Sequence, residues 1–383
     1  MTKTKRILLG SALIVLLGVG AYFACRPSLD AMVGQMIMTG FHGDGAGANA
    51  ADFAAIIEQV RAGQVGGVIL FDVDVSGLVA QGFSTADAKK QIFSSNIKNL
   101  AQVRALTAQL QAAAPNKLLI AVDQEGGRVQ RLKPEHGFAS IPSAADLGQG
   151  AVAYTFDVAY DLGTRLAALG INVDFAPVLD VNVNPKSPAI GAMNRSFSSN
   201  PDVVAAQADA FARGLSAAGV AYSFKHFPGH GSAGTDSHLG LTDVSKTYKD
   251  YELEPWRRVL ANSAPNAMVM VAHLVNNNID DLPASLSKKT IDMLRAMGFD
   301  GVVVSDDMDM GAITNEYGRE TAILMAINAG NDILVFGNNL TFDRNRGAAV
   351  HAAIVKMVRD GQISRSRIRE SYRRIMRLKS ALQ

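Results

Sequence analysis

Cysteine is nearly absent: Cys25 is the one thiol in 383 residues. No disulfide can form within the chain, so a folded domain must rest on its buried core. A dominant charge is missing as well. The 37 Lys+Arg and 35 Asp+Glu leave a formal net charge of +2, which supplies no basic field for nucleic acid. No GxxxxGK[ST] run occurs, and no GxGxxG follows an apolar run, which disfavours a nucleotide-binding open sheet. HExxH is absent too, and no Ser/Gly-rich linker interrupts Leu29 to Gln383. What is present is apolar: 48% hydrophobic against 19% charged residues. That composition suits a large core and excludes a disordered chain.

Some of the basic excess sits at the two ends. Lys3, Lys5 and Arg6 precede an uncharged run from Ile7 to Ala24. A basic head before such a run reads as a signal peptide or a membrane anchor with the head in the cytoplasm. Residues 1–28 are therefore expected to export or anchor the chain, placing residues 29–383 in the cell envelope. The protein would be periplasmic or membrane-anchored, with membrane contact through this segment alone. Cys25 ends the run, as in lipoprotein processing sites, although Tyr22-Phe23-Ala24 is bulkier than the small residues such sites prefer. Lipidation, a retained anchor and a cleaved signal all stay open. Arg365, Arg367, Arg369, Arg373, Arg374, Arg377 and Lys379 near the other end read as a solvated helix face.

Between the ends, short apolar runs alternate with amphipathic stretches. The runs are Val33–Thr39, Val65–Phe71, Leu118–Val122, Val173–Leu179, Ala221–Phe227, Ala267–Leu274, Gly301–Ser305 and Ile333–Phe336. Helical spacing covers Ala51–Ala62, Asn96–Ala114, Tyr154–Leu169, Val203–Ala218, Tyr248–Ala261, Lys289–Met297, Arg319–Ala329 and a last region from Arg344 to Leu382. Gly63, Gly170, Gly219 and Gly330 follow apolar helices, where a left-handed cap favours glycine. Eight strand–helix alternations predict an α/β chain with one closed (β/α)8 TIM-type barrel at 29–383, preceded by the hydrophobic segment. Asp72–Ser95 reads as a long surface loop after the second strand.

In such a barrel the reacting groups stand where strands end. The third run leads into Asp123-Gln124-Glu125-Gly126-Gly127-Arg128-Val129-Gln130-Arg131, and the fourth into Asp180-Val181-Asn182, with Asn194-Arg195 in the loop beyond. The fifth ends in Lys225-His226-Phe227-Pro228-Gly229-His230-Gly231, then Asp236-Ser237-His238. The sixth ends near His273 and the seventh in Ser305-Asp306-Asp307-Met308-Asp309. Acids, histidines and cations thus collect at one rim. A glycosidic bond can be displaced by a carboxylate nucleophile working opposite a proton donor. Asp306, at the end of an apolar strand, suits the first role, kept ionised by cations such as Lys225 or Arg131. His238 suits the second, with Asp236 to orient it on a glycine-rich loop. Other readings exist for the same residues. His226 and His230 could be packed histidines. Asp307 and Asp309 could cap the following helix. Asp123 and Glu125 could pair with Arg128. The three histidines of 225–238 could bind zinc, although the glycines make that loop a poor rigid ligand.

Lys225–Gly231 followed by Asp236-Ser237-His238 closely resembles the bacterial β-N-acetylglucosaminidases of glycoside hydrolase family 3. Asp123–Arg131, Asp174–Asp180, Asn194–Ser198, Pro283–Ser287 and Ser305–Met310 resemble that family in its order. The resemblance implies Asp306 as nucleophile, His238 as general acid/base and Asp236 as its partner. It implies that Asp123, Arg131, Arg195, Lys225 and His226 bind the sugar, with no metal or organic cofactor. It further implies a GlcNAc-containing oligosaccharide substrate, as in peptidoglycan recycling, and a monomer. Close relatives without an export segment work in the cytoplasm, so the run Ile7–Ala24 widens the substrate to envelope material, peptidoglycan-derived or chitin-type. The chain ends soon after the barrel, so the proton donor is expected from the barrel itself. A phosphorylase, with phosphate in place of water, and a catalytically silent sugar-binding protein are the competing readings.

Overall fold

The computed structural model describes residues 27–44, 49–82, 84–88, 95–235 and 240–382. The expected export segment, apart from its last two residues, lies outside the described residues, as do Asp236 and His238. Thirteen strands occur among the described residues: β1 (Ile37–Gly40), β2 (Gly67–Ile69), β3 (Leu119–Val122), β4 (Gln124–Gly126), β5 (Val129–Gln130), β6 (Val173–Asp174), β7 (Ala221–Phe227), β8 (Thr242–Asp243), β9 (Ala267–Val271), β10 (Leu274–Asn276), β11 (Asp280–Pro283), β12 (Val302–Asp307) and β13 (Ile333–Phe336). Eight of them close a barrel in the order β1-β13-β12-β9-β7-β6-β3-β2, each pair parallel. Strands covered on both faces need continuous apolar sequence. The wholly buried Ala-Met-Val-Met-Val of β9 shows why the sequence folds so.

Helices cover the barrel, and the first turns of several are capped by short polar side chains. Asn99 accepts from the Gln102 N–H, Asn200 from Asp202, Ser287 from Thr290 and Ser364 from Arg367. Gly63, Gly170, Gly219 and Gly330 carry φ of 68°, 74°, 80° and 125° at helix exits, as their positions predict. Trp256, the only tryptophan, is wholly buried and meets Phe227 edge-on at 5.0 Å.

Several boundaries move, each for a physical reason. The first apolar run begins as a helix, Leu29–Gln35, capped by the Ser28 hydroxyl, and only then becomes β1. The fourth run forms two residues of ladder, because Pro177 has no N–H to give; a single bridge, Val178 to Lys225, continues it. The sixth run divides after Val271. Leu274–Asn276 leaves the barrel and joins a separate sheet, ordered β11-β10-β8. Asn96 does not begin a helix; its amide bridges the Phe71 N–H and the Phe41 carbonyl, and the helix begins at Leu100. The excursion 72–95 is not a plain loop. It carries the helices Val75–Ala80, with Asp74 capping Gly77, and Thr85–Ala88.

The C-terminal region splits into helices Arg346–Arg359 and Arg365–Ser380, parted at Gly361. Its basic run is only partly a solvated face. Arg367 Nη2 donates to buried Asp332 at 2.6 Å, Arg374 Nη1 approaches the same oxygen at 3.5 Å, and Arg295 binds the other at 2.9 Å. Lys379 is buried beneath the barrel. The basic residues thus fasten the last helix to the base of the barrel.

Candidate active site

A cavity of about 370 Å³ opens at the C-terminal mouth of the barrel, a volume suited to a small ligand. Asp123, Glu125, Arg131, Arg195, Lys225, His226 and Asp306 all line it. Six of the eight residues expected at the site from sequence, and Asp306 among them as nucleophile, are therefore placed in the described structure around one space. His238 and Asp236 fall outside the described residues.

The floor is built from charges at the ends of non-neighbouring strands. Asp123 and Glu125 follow β3, and Lys225 lies in β7, with β6 between them. Lys225 Nζ donates to Asp123 Oδ1 at 2.9 Å and to Glu125 Oε1 at 2.6 Å. Arg195 grips Glu125 with two donors, Nε to Oε2 at 2.8 Å and Nη2 to Oε1 at 2.7 Å. Arg131 Nη2 reaches Asp123 Oδ2 at 3.4 Å, while its guanidinium lies 5.7 Å from the Phe71 ring. Burial pushes the Glu125 carboxyl up, but Arg195 and Lys225 outweigh it and hold it at about 2. Burial acts the same way on Asp123, and Lys225 and Arg131 again prevail, leaving it below its ordinary range. Both acids are thus anions at neutral pH, and the cluster offers carboxylate oxygens and N–H donors together, as sugar hydroxyls and an amide require.

These pairings correct one expectation. Glu125 does not pair with Arg128, whose Nη1 instead donates to the Ala192 carbonyl at 3.0 Å. Lys225 and Arg131 are bonded to Asp123, Glu125 and Asp72.

Buried Asp180 organises the histidines. Its Oδ2 accepts from His226 Nδ1 at 2.7 Å, and its Oδ1 accepts the backbone N–H of His226 at 3.2 Å and of His230 at 2.8 Å. A carboxylate can only accept, so Nδ1 of His226 carries hydrogen. Its Nε2, 3.3 Å from Arg195 Nη2, accepts and faces the cavity. His226 is thus an oriented site residue rather than mere packing. His230 is buried among these groups, and burial and then His226 lower its pKa to about 4.

Asp306 and Asp307 end β12 on the far wall. Asp306 Oδ1 accepts the Asp307 N–H at 2.8 Å. Asp307 accepts the N–H of Gly337 at 2.7 Å and of Asp309 at 3.0 Å, which ties the end of β12 to the turn after β13. Asp307 therefore braces two strand ends rather than capping the next helix. Asp309 likewise accepts the Asn338 N–H at 3.0 Å and lies 3.4 Å from Arg346 Nη1. Burial, then the charge of Asp309, pushes the Asp307 carboxyl up to about 7.

The segment expected to carry the donor lies between β7 and β8, a strand of the separate β11-β10-β8 sheet. Thr235 Oγ1 donates to Thr242 Oγ1 at 3.1 Å, so the flanks of that segment are tied together. Gly231 lies so close to the Val181 carbonyl that a β-carbon would stand 1.6 Å from its oxygen; only glycine fits there. Among the described residues, no group of three or more His, Cys, Asp or Glu side chains is arranged to hold a metal ion.

Glu125, Asp180 and Asp72 are the functional residues that sequence reasoning left without a site role. Asp72 binds Lys133 at 2.5 Å and approaches Arg131 at 3.9 Å, closing the cavity from the 72–95 side. The one available signal was their position at the ends of apolar runs, immediately after for Asp72 and Asp180 and three residues on for Glu125.

Comparison with known proteins agrees with this layout. Residues 28–378 match the family model described as Glycosyl hydrolase family 3 N terminal domain. Beta-hexosaminidase A of Pseudoalteromonas piscicida is 34% identical over 320 residues, covering 76% of this chain and 53% of that protein. Beta-hexosaminidase of Xylella fastidiosa (strain M23) is 38% identical over 256 residues, 64% of this chain and 74% of its own length. The structure of a family 3 β-N-acetylglucosaminidase from Paenibacillus sp. str. FPU-7 matches with a TM-score of 0.79 at 34% identity, covering 93% of this chain and 63% of that one. The chain thus spans about half the length of the first of these relatives.

Proposed function

This chain belongs to glycosyl hydrolase family 3, and on that premise we propose that it is a retaining β-N-acetylhexosaminidase. It releases terminal non-reducing β-linked N-acetylglucosamine from peptidoglycan-derived or chitin-type oligosaccharides. One observation carries the reading. In the closed strand order, β12 and β3 stand diametrically opposite, so Asp306 confronts the Asp123–Glu125–Lys225–Arg195 floor across the cavity. A sugar held by that floor lies between its binding groups and a carboxylate. The names of the similar proteins, two beta-hexosaminidases and a β-N-acetylglucosaminidase, support the choice of sugar.

In this mechanism Asp123, Arg131, Arg195, Lys225 and His226 bind the sugar hydroxyls and the N-acetyl group. Asp306 attacks the anomeric carbon. As the bond to the aglycone oxygen breaks, His238, oriented by Asp236, gives that oxygen a proton. His238 then takes a proton from water, which cleaves the Asp306 glycosyl ester with net retention. The reading calls for no cofactor. It places a monomer in the cell envelope, held or exported through residues 1–28.

The test is release of 4-nitrophenol from its β-GlcNAc and β-glucoside conjugates, with D306A beside the wild type and phosphate added in a parallel arm. Turnover of the GlcNAc conjugate in water, weaker on glucoside and abolished in D306A, is expected. Folded wild type that turns over neither conjugate, or only with phosphate, would refute the hydrolase.

A further inference from the structure

We propose that His273 is a positioning residue for the nucleophile: its imidazole takes over where β9 leaves β12, and fixes the strand end on which Asp306 presents its carboxylate. The inference rests on Asp306 being the nucleophile.

The ladder shows why a side chain is needed there. β9 supports β12 from Val302 to Ser305, the last pair being Ser305 with Val271. β9 then ends. Ala272 gives its N–H to the Phe227 carbonyl, and Leu274 already belongs to the separate sheet. On the other side of β12, the register with β13 shifts between Val304 and Asp307. Asp306 thus stands where regular pairing stops on one side and is irregular on the other, so other groups must hold this strand end.

His273 supplies a donor in place of the departed strand. It is wholly buried, and its Nε2 lies 3.0 Å from the Asp307 carbonyl oxygen. A carbonyl can only accept, so Nε2 carries hydrogen. Nδ1 of the neutral ring then accepts from the Ser285 hydroxyl at 2.6 Å. Ser285 is itself wholly buried, in the 3-10 turn Ala284–Leu286. Its N–H donates to the Ala272 carbonyl at 3.0 Å, and its carbonyl accepts from Asn331 Nδ2 at 2.7 Å. The ring is therefore held from behind, and it holds the peptide between Asp307 and Met308. The N–H of that same peptide, on Met308, donates to the Val335 carbonyl at 2.8 Å. A planar peptide gripped at both its carbonyl and its N–H fixes the residue that precedes it. That residue is Asp307, whose own N–H is accepted by Asp306 Oδ1 at 2.8 Å. The line Ser285–His273–Asp307 thus ends on the attacking carboxylate, although neither Ser285 nor His273 lines the cavity.

Such a role shows in the attack and not in sugar binding. The probe is the β-fluoride of 5-fluoro-GlcNAc. Asp306 forms an ester bond to its anomeric carbon as the C–F bond breaks, fluoride leaves without a proton, and the ring fluorine slows hydrolysis of the ester. The full-length wild type, D306A, H273A, H273Q and S285A are compared for the rate constant of labelling, read by mass. Protection by free GlcNAc gives the affinity for the sugar. Wild type should carry one label, on Asp306, and D306A none. H273A should label about 100-fold more slowly, the cost of a misplacement of about 1 Å, with GlcNAc affinity within about twofold of wild type. H273Q, whose side-chain N–H can replace Nε2, should label at least about tenfold faster than H273A. S285A should lose about threefold or more in rate, the worth of one hydrogen bond, with GlcNAc affinity again unchanged. Folded H273A labelling within about threefold of wild type, H273Q no faster than H273A, or a loss of GlcNAc affinity matching the loss of rate would overturn the inference alone. Should H273A not fold, S285A decides, and labelling at the wild-type rate overturns it. Active wild type labelled elsewhere than Asp306, or not at all, would overturn the assignment of the nucleophile and the inference with it.

Discussion

Lys379 should make this barrel more stable as the pH rises above neutrality. Its side chain is 4% exposed, and its Nζ donates to Gln35 Oε1 at 2.6 Å and to the Gly66 carbonyl at 2.8 Å, with no carboxylate paired to it among the described residues. Burial alone lowers its pKa from 10.5 to about 7. Between about pH 7 and pH 10 the native protein therefore holds fewer protons than the unfolded chain, and stability rises with pH across that window. Below pH 7 both states are charged and the deficit is complete. Each pKa unit corresponds to about 1.4 kcal/mol. From pH 7 to pH 9, with the native group half ionised at the start, the gain is about 2 kcal/mol. In K379M the unbranched chain keeps the packing, while Gln35 and Gly66 lose a donor. That loss costs about 1–3 kcal/mol and does not vary with pH. Urea unfolding followed through the fluorescence of buried Trp256, at pH 7, 8 and 9, should show wild type gaining on K379M by about 2 kcal/mol. Parallel pH profiles for the two proteins would refute the reasoning.

Two further changes separate the site from the scaffold. E125Q turns an acceptor facing Lys225 Nζ and two Arg195 donors into an amide that cannot satisfy them. Leaving buried cations uncompensated costs about 3–5 kcal/mol, so kcat/KM on 4-nitrophenyl β-GlcNAc should fall at least about 100-fold. Activity within threefold of wild type would contradict the role of this floor. D332A should leave KM unchanged and destabilise the fold by about 3–5 kcal/mol in urea unfolding, because Arg295, Arg367 and Arg374 lose their common buried partner. Its control, R365A at an exposed position, should change stability by less than about 0.5 kcal/mol.

The barrel was legible because its strands are short, continuous apolar runs separated by stretches of helical spacing, and both signals are local. The site was legible where a motif followed such a run, as at Asp123, Lys225 and Asp306. Pairing was not. Glu125 meets Arg195 across 70 residues of sequence and Lys225 meets Asp123 across 102, so the proximity of Arg128 suggested the wrong partner. The inward turn of Arg367, Arg374 and Lys379 was hidden for the same reason. A helical run of basic residues looks solvated until a buried acid or a carbonyl from another element meets it. The β8-β10-β11 sheet escaped notice because β8 is two residues long and pairs with a segment that reads as the continuation of β9.

Closure of the sheet also explains why this site needs so many charges. Lys225 and Asp123 belong to strands separated by β6, and they meet because β6 stops as a ladder at Asp174, just where Pro177 interrupts the pattern. Asp174 itself is buried there, with its Oδ1 on the Gln124 N–H, and burial pushes its carboxyl well above the ordinary range. The Lys225 ammonium is bonded to the two carboxylates above it, Asp123 and Glu125. The more Asp174 favours its proton, the less a third acid competes with Asp123 and Glu125 for the same cation. Were Asp174 charged, three carboxylates would share one lysine and two arginines, and repulsion among them would favour protonating the floor. The raised pKa of Asp174 and the lowered ones of Asp123 and Glu125 thus act in the same sense, favouring negative charge on the acids that line the cavity.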